Sequence, residues 1–215
     1  MRQQGMRISY YLVGLLILAL GITLNTKTGL GVSPIISVPF AIASIWNLNF
    51  GNMTLIVYCV FVLIQFLLKR RNAKLYDLLQ IPLSIIFTRF MNLFADHIPN
   101  MSGAFTPRLI VLLFAIILTG IGAAMSVNMR LVPNPGDGIV QAISDYSNKE
   151  MGFTKNCFDV VNILITITVG FLFRKELIGI GVGTVIAVIG VGRVIAVFNR
   201  MCKQKMDAQS GMNAA

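Results

Sequence analysis

Long apolar runs separated by short polar breaks organise this chain. Runs near bilayer-crossing length occur at Ile8–Leu24, Met53–Leu68, Leu75–Phe94, Arg108–Asn128, Phe153–Phe173 and Leu177–Phe198. A helical span needs roughly 20 mostly apolar residues, with about 17 as a minimum. All six runs meet or approach that length and predict six transmembrane helices. Two shorter pieces sit between them. Pro34–Trp46 would make a helix of about 20 Å against a hydrocarbon core of about 30 Å. Its counterpart, Asp137–Tyr146, is shorter still. Each follows a break in which proline suits the first helical turn and glycine the turn before it. Ser33 and Asp137 are the expected N-caps. The expected fold is an all-α polytopic membrane protein, with six transmembrane helices plus two short broken or re-entrant helices.

The pattern is written twice. A shift of 101 positions lays Pro34–Gly51 on Pro135–Gly152, pairing Pro34/Pro135, Ala41/Ala142, Ile42/Ile143, Asn47/Asn148 and Gly51/Gly152. After three inserted residues, Ile85/Ile189, Arg89/Arg193 and Phe94/Phe198 also coincide. Apolar composition inflates such identities, so the shared order of span, break, short piece and two further spans carries more weight. The expected organisation is a first repeat over 8–94 with its short helix at 34–46, and a second over 108–198 with its short helix at 137–146. A linker at 95–107 joins them, and a polar cytoplasmic tail covers 199–215.

Lys and Arg placement orients the chain, because cytoplasmic loops carry the positive excess. If the short pieces do not cross, the cluster Lys69, Arg70, Arg71, Lys74 and the tail with Arg200, Lys203 and Lys205 share the cytoplasmic side with the N-terminus. The linker at 95–107, which has no Lys or Arg, then lies outside. Arg174 and Lys175 dissent, partly offset by Glu176. Three spans per repeat is an odd number, so the two repeats are expected to be inverted relative to each other. Such repeats place a site near the midplane, where the broken helices meet.

Composition narrows the function. Of the 215 residues 56% are hydrophobic and 12% charged, half the charged fraction of a soluble domain. The net charge of +10 lies in clusters between spans, which leaves no basic soluble face for nucleic acid. Arg2 and Arg7 before an apolar run resemble a signal peptide, but that run has a counterpart in the second repeat. Cys59, Cys157, Cys202 and the single His97 have no metal-ligand or disulfide spacing, so neither a metal site nor a cofactor is expected. No nucleophile with a base and no carboxylate pair occurs at a recognisable spacing, and an enzyme is not expected.

The candidate chemistry follows a polar stripe. Lys155, Asp159, Asn162 and Thr166 recur at spacings that put them on one helical face. Their counterparts in the first repeat are Thr54, Tyr58, Phe61 and Gln65. Intramembrane polar groups of this kind face a cavity or a partner, although hydrogen bonding between helices is the plainer reading. Asp159 and Lys155 are the candidate coupling groups, with a local salt bridge as the alternative. Around the two breaks, Ser33, Pro34, Asn134, Asp137 and Gly138 would present unpaired N–H groups at helix N-termini, which favour an anion or carboxylate. Arg89 and Arg193 either guard the two mouths or snorkel to the headgroups. Pro82 is expected to kink its span. Gly179 to Gly192 stripe the last span, where close helix packing or docking of a second copy or another membrane protein is expected.

Taken together, "LGVSPIISVPFAIA" with "NFGNMT", "VPNPGDGIVQAIS" with "KEMGFTKNCFDVVNIL", and "IGIGVGTVIAVIGVGRVIAVF" resemble the YczE/YyaS/YitT-type group of small bacterial integral membrane proteins. The resemblance covers the chain as far as Asn199. It implies a multi-pass protein of the bacterial cytoplasmic membrane and transfers no ligand residue. The expected function is a small-solute transporter with a midplane site for a small anion or zwitterion. The alternative is a non-transporting accessory subunit or regulator that captures a ligand. Single cysteines placed at Asn72→Cys and Ser102→Cys, in a chain without its three native cysteines, test the topology. Ser102→Cys should react with an impermeant thiol reagent from outside intact cells, and Asn72→Cys should not.

Overall fold

The computed structural model describes residues 2–70 and 73–212, and the expectation that Arg71 belongs to the cytoplasmic cluster lies outside them. Eight α-helices form the described chain: α1 Arg2–Lys27, α2 Pro34–Trp46, α3 Phe50–Lys69, α4 Gln80–His97, α5 Phe105–Asn128, α6 Pro135–Ser147, α7 Met151–Arg174 and α8 Val182–Gln209. A 3₁₀ turn, Leu75–Leu79, leads into α4. Six of these segments are long and apolar enough to cross a bilayer, and α2 and α6 are not. The protein is an all-α polytopic membrane protein.

Several boundaries differ from the sequence reading. The first span begins six residues earlier, at Arg2, and runs on to Lys27. The last helix starts at Val182 and continues through most of the expected tail, because Met206 and Asp207 are buried and Tyr10 hydrogen-bonds Gln209. The start of α1 and the end of α8 therefore lie on one face of the bundle. Pro82 stands in the first turn of α4, where its missing N–H costs nothing, so no kink is required there. Gly179 and Gly181 precede α8 instead of striping it.

The short helices are alike. Each has 13 residues, opens on proline and ends on an asparagine in the left-handed conformation, Asn47 at φ 51° and Asn148 at φ 53°. The N-caps are Ser33 and Asn134, and the expectation of Asp137 as a cap is corrected. Asn134 Oδ1 accepts from the Gly136 amide at 3.0 Å, while Asp137 occupies the first turn. A carboxylate there complements the positive end of the helix dipole without capping it.

Helices α1 and α5 make the most extensive contact in the molecule. Glycines set their separation. A methyl added to Gly14 would lie 2.8 Å from the Ser126 amide nitrogen, and one on Gly21 would lie 2.6 Å from that of Thr119. Gly122 sits against Leu18 and Gly14 in the same way. Backbones this close gain dispersion contacts that lipid cannot supply. Arginines tie the ends of the pair. Arg7 Nε donates to the Met129 carbonyl at 2.7 Å and its Nη2 to that of Arg130 at 2.9 Å. At the opposite face Arg108 Nε donates to the Thr28 carbonyl at 2.7 Å. Arg7/Arg108 and Thr28/Met129 are both separated by 101 positions, so the two braces are equivalents. Gly29 at φ 62° and Arg130 at φ 48°, also 101 apart, turn the chain out of each helix.

The short helices are exchanged between halves: α2 packs on α7 and α6 on α3. Arg174, at the end of α7, donates to the Ile45 carbonyl at 2.8 Å and so closes the C-terminus of α2. That contact gives Arg174, one of the dissenting basic pair, a structural reason to lie where it does.

A leucine at Gly21 should overpack the α1–α5 contact and destabilise the protein by about 1–3 kcal/mol. Gly21→Leu is expected to lower the thermal unfolding midpoint in detergent. Gly192→Leu, whose added carbon meets nothing within 4 Å, should leave it unchanged.

Candidate functional site

The polar stripe on α7 faces inward as its spacing requires. Thr154, Asp159, Asn162 and Thr166 are buried, and Lys155 stands at the edge with its side chain 47% exposed. On α3 the buried face is Gly51, Thr54, Tyr58, Phe61, Val62 and Gln65. Part of this polarity is local. Thr54 Oγ1 donates to the Phe50 carbonyl and Asn162 Nδ2 to the Phe158 carbonyl, one turn back along their own helices. Tyr58 stacks on Phe87 with ring centroids 6.3 Å apart.

The deepest stripe positions clasp the exchanged short helices. Gln65 and Gln80, neither exposed to any extent, trade amide hydrogen bonds at 3.0 and 3.2 Å. Gln65 Nε2 also reaches the Pro135 carbonyl at 3.3 Å. Gly138 lies against both amides, and a methyl there would come within 2.7 Å of Gln65 Oε1. On the other side Thr166 and Ser37 share a hydrogen bond at 2.7 Å, and Ser37 also donates to the Pro34 carbonyl. Gln65/Thr166, Pro34/Pro135 and Ser37/Gly138 are again pairs 101 apart. Backbone that leaves its helix at membrane depth must be satisfied by protein, and these side chains do it.

The two N-termini meet where Ile35 packs on Gly136. The expectation of free N–H groups at the second break is corrected: the amides of Gly136, Asp137 and Gly138 are all taken by Asn134. Pro34, Gly138, Gln65 and Thr166 thus come together as a closed polar seam and not as an open pocket, and Ser33 makes no side-chain cap there. Arg89 is exposed and donates to Asn52 Oδ1 at 3.0 Å. Arg193 is exposed and makes no hydrogen bond or ion pair among the described residues. Neither arginine reaches the seam.

Open space lies beside it. A cavity of about 580 Å³ occupies the end of the bundle that carries the termini, between α5, α6, α7 and α8. Asp137 and Lys155 line it, with Gln141, Asn128, Arg130 and Asn199 completing its polar wall. Its size falls within the range of small-molecule sites, about 300–1,000 Å³. Asn128 and Asn199 hydrogen-bond each other at 2.7 Å across the α5–α8 contact. Behind the wall, Lys155 Nζ pairs with Asp159 Oδ2 at 3.6 Å. A smaller cavity of about 150 Å³ lies at the opposite face, among Thr26, Gly29–Val32, Phe40, Leu177 and Gly179–Gly181. There the Val32 amide donates to the Gly179 carbonyl and the Gly183 amide to the Leu30 carbonyl, both at 2.8 Å, which closes that break onto the start of α8.

The sequence reading missed Gln80, Gln141, Asn128, Arg130 and Asn199. Gln80 was detectable as a polar residue inside a predicted span, and Asn128 and Asn199 as asparagines at the ends of two others. The rest fall on loops or exposed faces and become neighbours only through tertiary packing.

A model for a family of unknown function, DUF6198, matches residues 5–200. The chain belongs to this family. Among its relatives, the uncharacterized protein YyaS of Bacillus subtilis (strain 168) is 24% identical over 90% of this chain and 92% of its own length. The uncharacterized membrane protein YczE of the same organism is 25% identical over 88% of this chain and 84% of its own. An uncharacterized protein of Haemophilus influenzae is 27% identical, covering 89% and 82%. No solved structure matches the chain.

Gln65→Leu strands the Gln80 amide and the Pro135 carbonyl, at a cost of about 1–3 kcal/mol for each buried group left unpaired. The Gln65→Leu/Gln80→Leu double variant should be less destabilised than the sum of the single variants. Unfolding midpoints in increasing dodecyl sulfate would measure the difference.

Proposed function

We propose that this protein is a small-solute carrier of the bacterial cytoplasmic membrane, built from two repeats inserted in opposite orientations with both termini cytoplasmic. The observation that carries the reading is the cavity beside the α6 break, with an ammonium and a carboxylate, Lys155 and Asp137, on its wall. A zwitterion fits such a wall: its carboxylate meets Lys155 and its ammonium meets Asp137. The α6 N-terminus contributes a favourable field to the carboxylate, although its amides are occupied. The paired braces Arg7–Met129 and Arg108–Thr28 support the two-repeat reading, as does the exchange of α2 and α6. Discontinuous helices meeting near the midplane are the usual site of binding in carriers of this architecture.

On this reading the structure is the inward-open form. Its large cavity lies on the face of the termini, and the opposite break is latched to α8. Alternating access would open the smaller outer cavity as the inner one closes, by rocking of one repeat against the other.

Counterflow in liposomes containing only the purified protein tests the proposal. Labelled glycine, proline, glycine betaine, lactate and choline should separate by charge, with at least one zwitterion exchanged and choline excluded. Asp137→Asn or Lys155→Gln removes a charge-assisted contact worth about 1.5–3 kcal/mol, which predicts a loss of about 10- to 100-fold in apparent affinity. A protein that binds a zwitterion but moves none of them is an accessory subunit, and the carrier reading fails.

A further inference from the structure

Asp159 has an unusual set of neighbours. It lies on α7, one turn from Lys155, with 8% of its surface exposed. Its Oδ2 meets the Lys155 ammonium at 3.6 Å, and its Oδ1 is buried with no hydrogen-bond partner. Lys155 lines the cavity and Asp159 does not. The buried carboxylate therefore depends on one counter-charge, and that counter-charge is the group an entering solute meets.

Besides Lys155, the titratable group that acts on Asp159 is Asp137 on α6; Tyr58 on α3 is turned toward Asp137 and Asn134, and α2 carries no titratable group. Lys155, Asp137 and Asp159 together hold one carboxylate more than they hold ammonium groups. A zwitterion adds no net charge, but it redistributes what is there. Its carboxylate draws Lys155 toward the cavity and its ammonium engages Asp137. Asp159 is then left buried without a cation, in a membrane interior where an uncompensated charge is expensive.

Resting on the carrier reading above, we propose that Asp159 is the proton-binding site of this transporter, and that solute and proton travel together. The balance is simple. Water on the entry side supplies one proton, a single O–H bond forms on the Asp159 carboxyl, and Lys155 keeps its own protons throughout. The loaded cluster is neutral: Lys155 pairs with the solute carboxylate, the solute ammonium pairs with Asp137, and Asp159 is a neutral acid that can donate where its carboxylate had no partner. Release of the solute returns Lys155 to Asp159 and expels the proton on the far side. One solute moves with one proton and one positive charge. The same relay gives Lys155 two roles, binding the solute and reporting its presence to Asp159.

The test uses wild-type full-length protein in liposomes with trapped pyranine, which reads internal pH, and labelled glycine or proline outside. Membrane potential is clamped with potassium and valinomycin. Protons should enter with the solute at a ratio near one, and an inward proton gradient of one pH unit should concentrate it about tenfold. Asp159→Asn, which cannot release a proton, should make uptake indifferent to the gradient. Solute entry with no pyranine response in the wild type overturns the proton site and leaves the carrier standing. If neither solute enters through the wild-type protein, the carrier reading falls for these zwitterions and the proton site falls with it. Because the pyranine arm uses unaltered protein, misfolding of the variant would not rescue the proposal.

Discussion

The close approach of α1 and α5 is the constraint on which the rest of the bundle depends. Lipid solvates leucine as well as protein does, so apolar burial alone does not bind these helices together. Glycines at positions 14, 21 and 122 remove the side chains that would hold the backbones apart. The arginine braces then anchor each helix start to the carbonyls at the other's exit, satisfying the Thr28, Met129 and Arg130 acceptors that follow the last helical residues. With the central pair held, the chain leaves α1 and α5 through left-handed turns and the breaks start from defined points.

Once the helices are broken, their polar groups must be satisfied from within. Each half answers with a side chain on its long inward-facing helix, Gln65 on α3 and Thr166 on α7, directed at the short helix of the other half. The chemistry differs between the two, an amide pair in one and two hydroxyls in the other, while the position is the same. This exchange makes the seam a shared structure, so that neither half has a complete polar interior without its counterpart. The asymmetry of charge lies on the cavity side, where Asp137, Lys155 and Asp159 are the equivalents of Ile36, Thr54 and Tyr58 in the first half. Charge is thus concentrated at one break, which is where the larger of the two cavities lies.

The spans, the two short helices and the inward stripe were all legible in the pattern of apolar and polar positions. Helical period and bilayer thickness leave few alternatives for runs of that length. Closely spaced polar residues on one face announced burial before any contact was known. The stripe's roles were less readable. Thr54 and Asn162 look like site residues in sequence and are spent on their own helix backbones. Arg89 and Arg193 are conspicuous equivalents, 104 apart across the three inserted residues, whereas Arg7 and Arg108, 101 apart, do the structural work. An arginine at a span's end gives no sign of whether it meets a headgroup or a carbonyl.

Local physics determined which segments are helical, where they break and which faces turn inward, because these follow from hydrogen bonding within a segment and from the cost of polar groups in lipid. Tertiary structure decided which break is closed and which opens. The free N-terminus expected at Asp137 disappears because Asn134 folds back over it. The cavity exists because the α5–α8 pair and the α6–α7 pair each stay together but hardly touch one another at that face. Gln65 found Gln80 across 15 positions of sequence and Lys155 came to share a wall with Asn128 and Asn199, and neither relation is encoded in spacing along a single helix. Periodicity specifies a direction around an axis, and only the packing of several axes specifies what stands there.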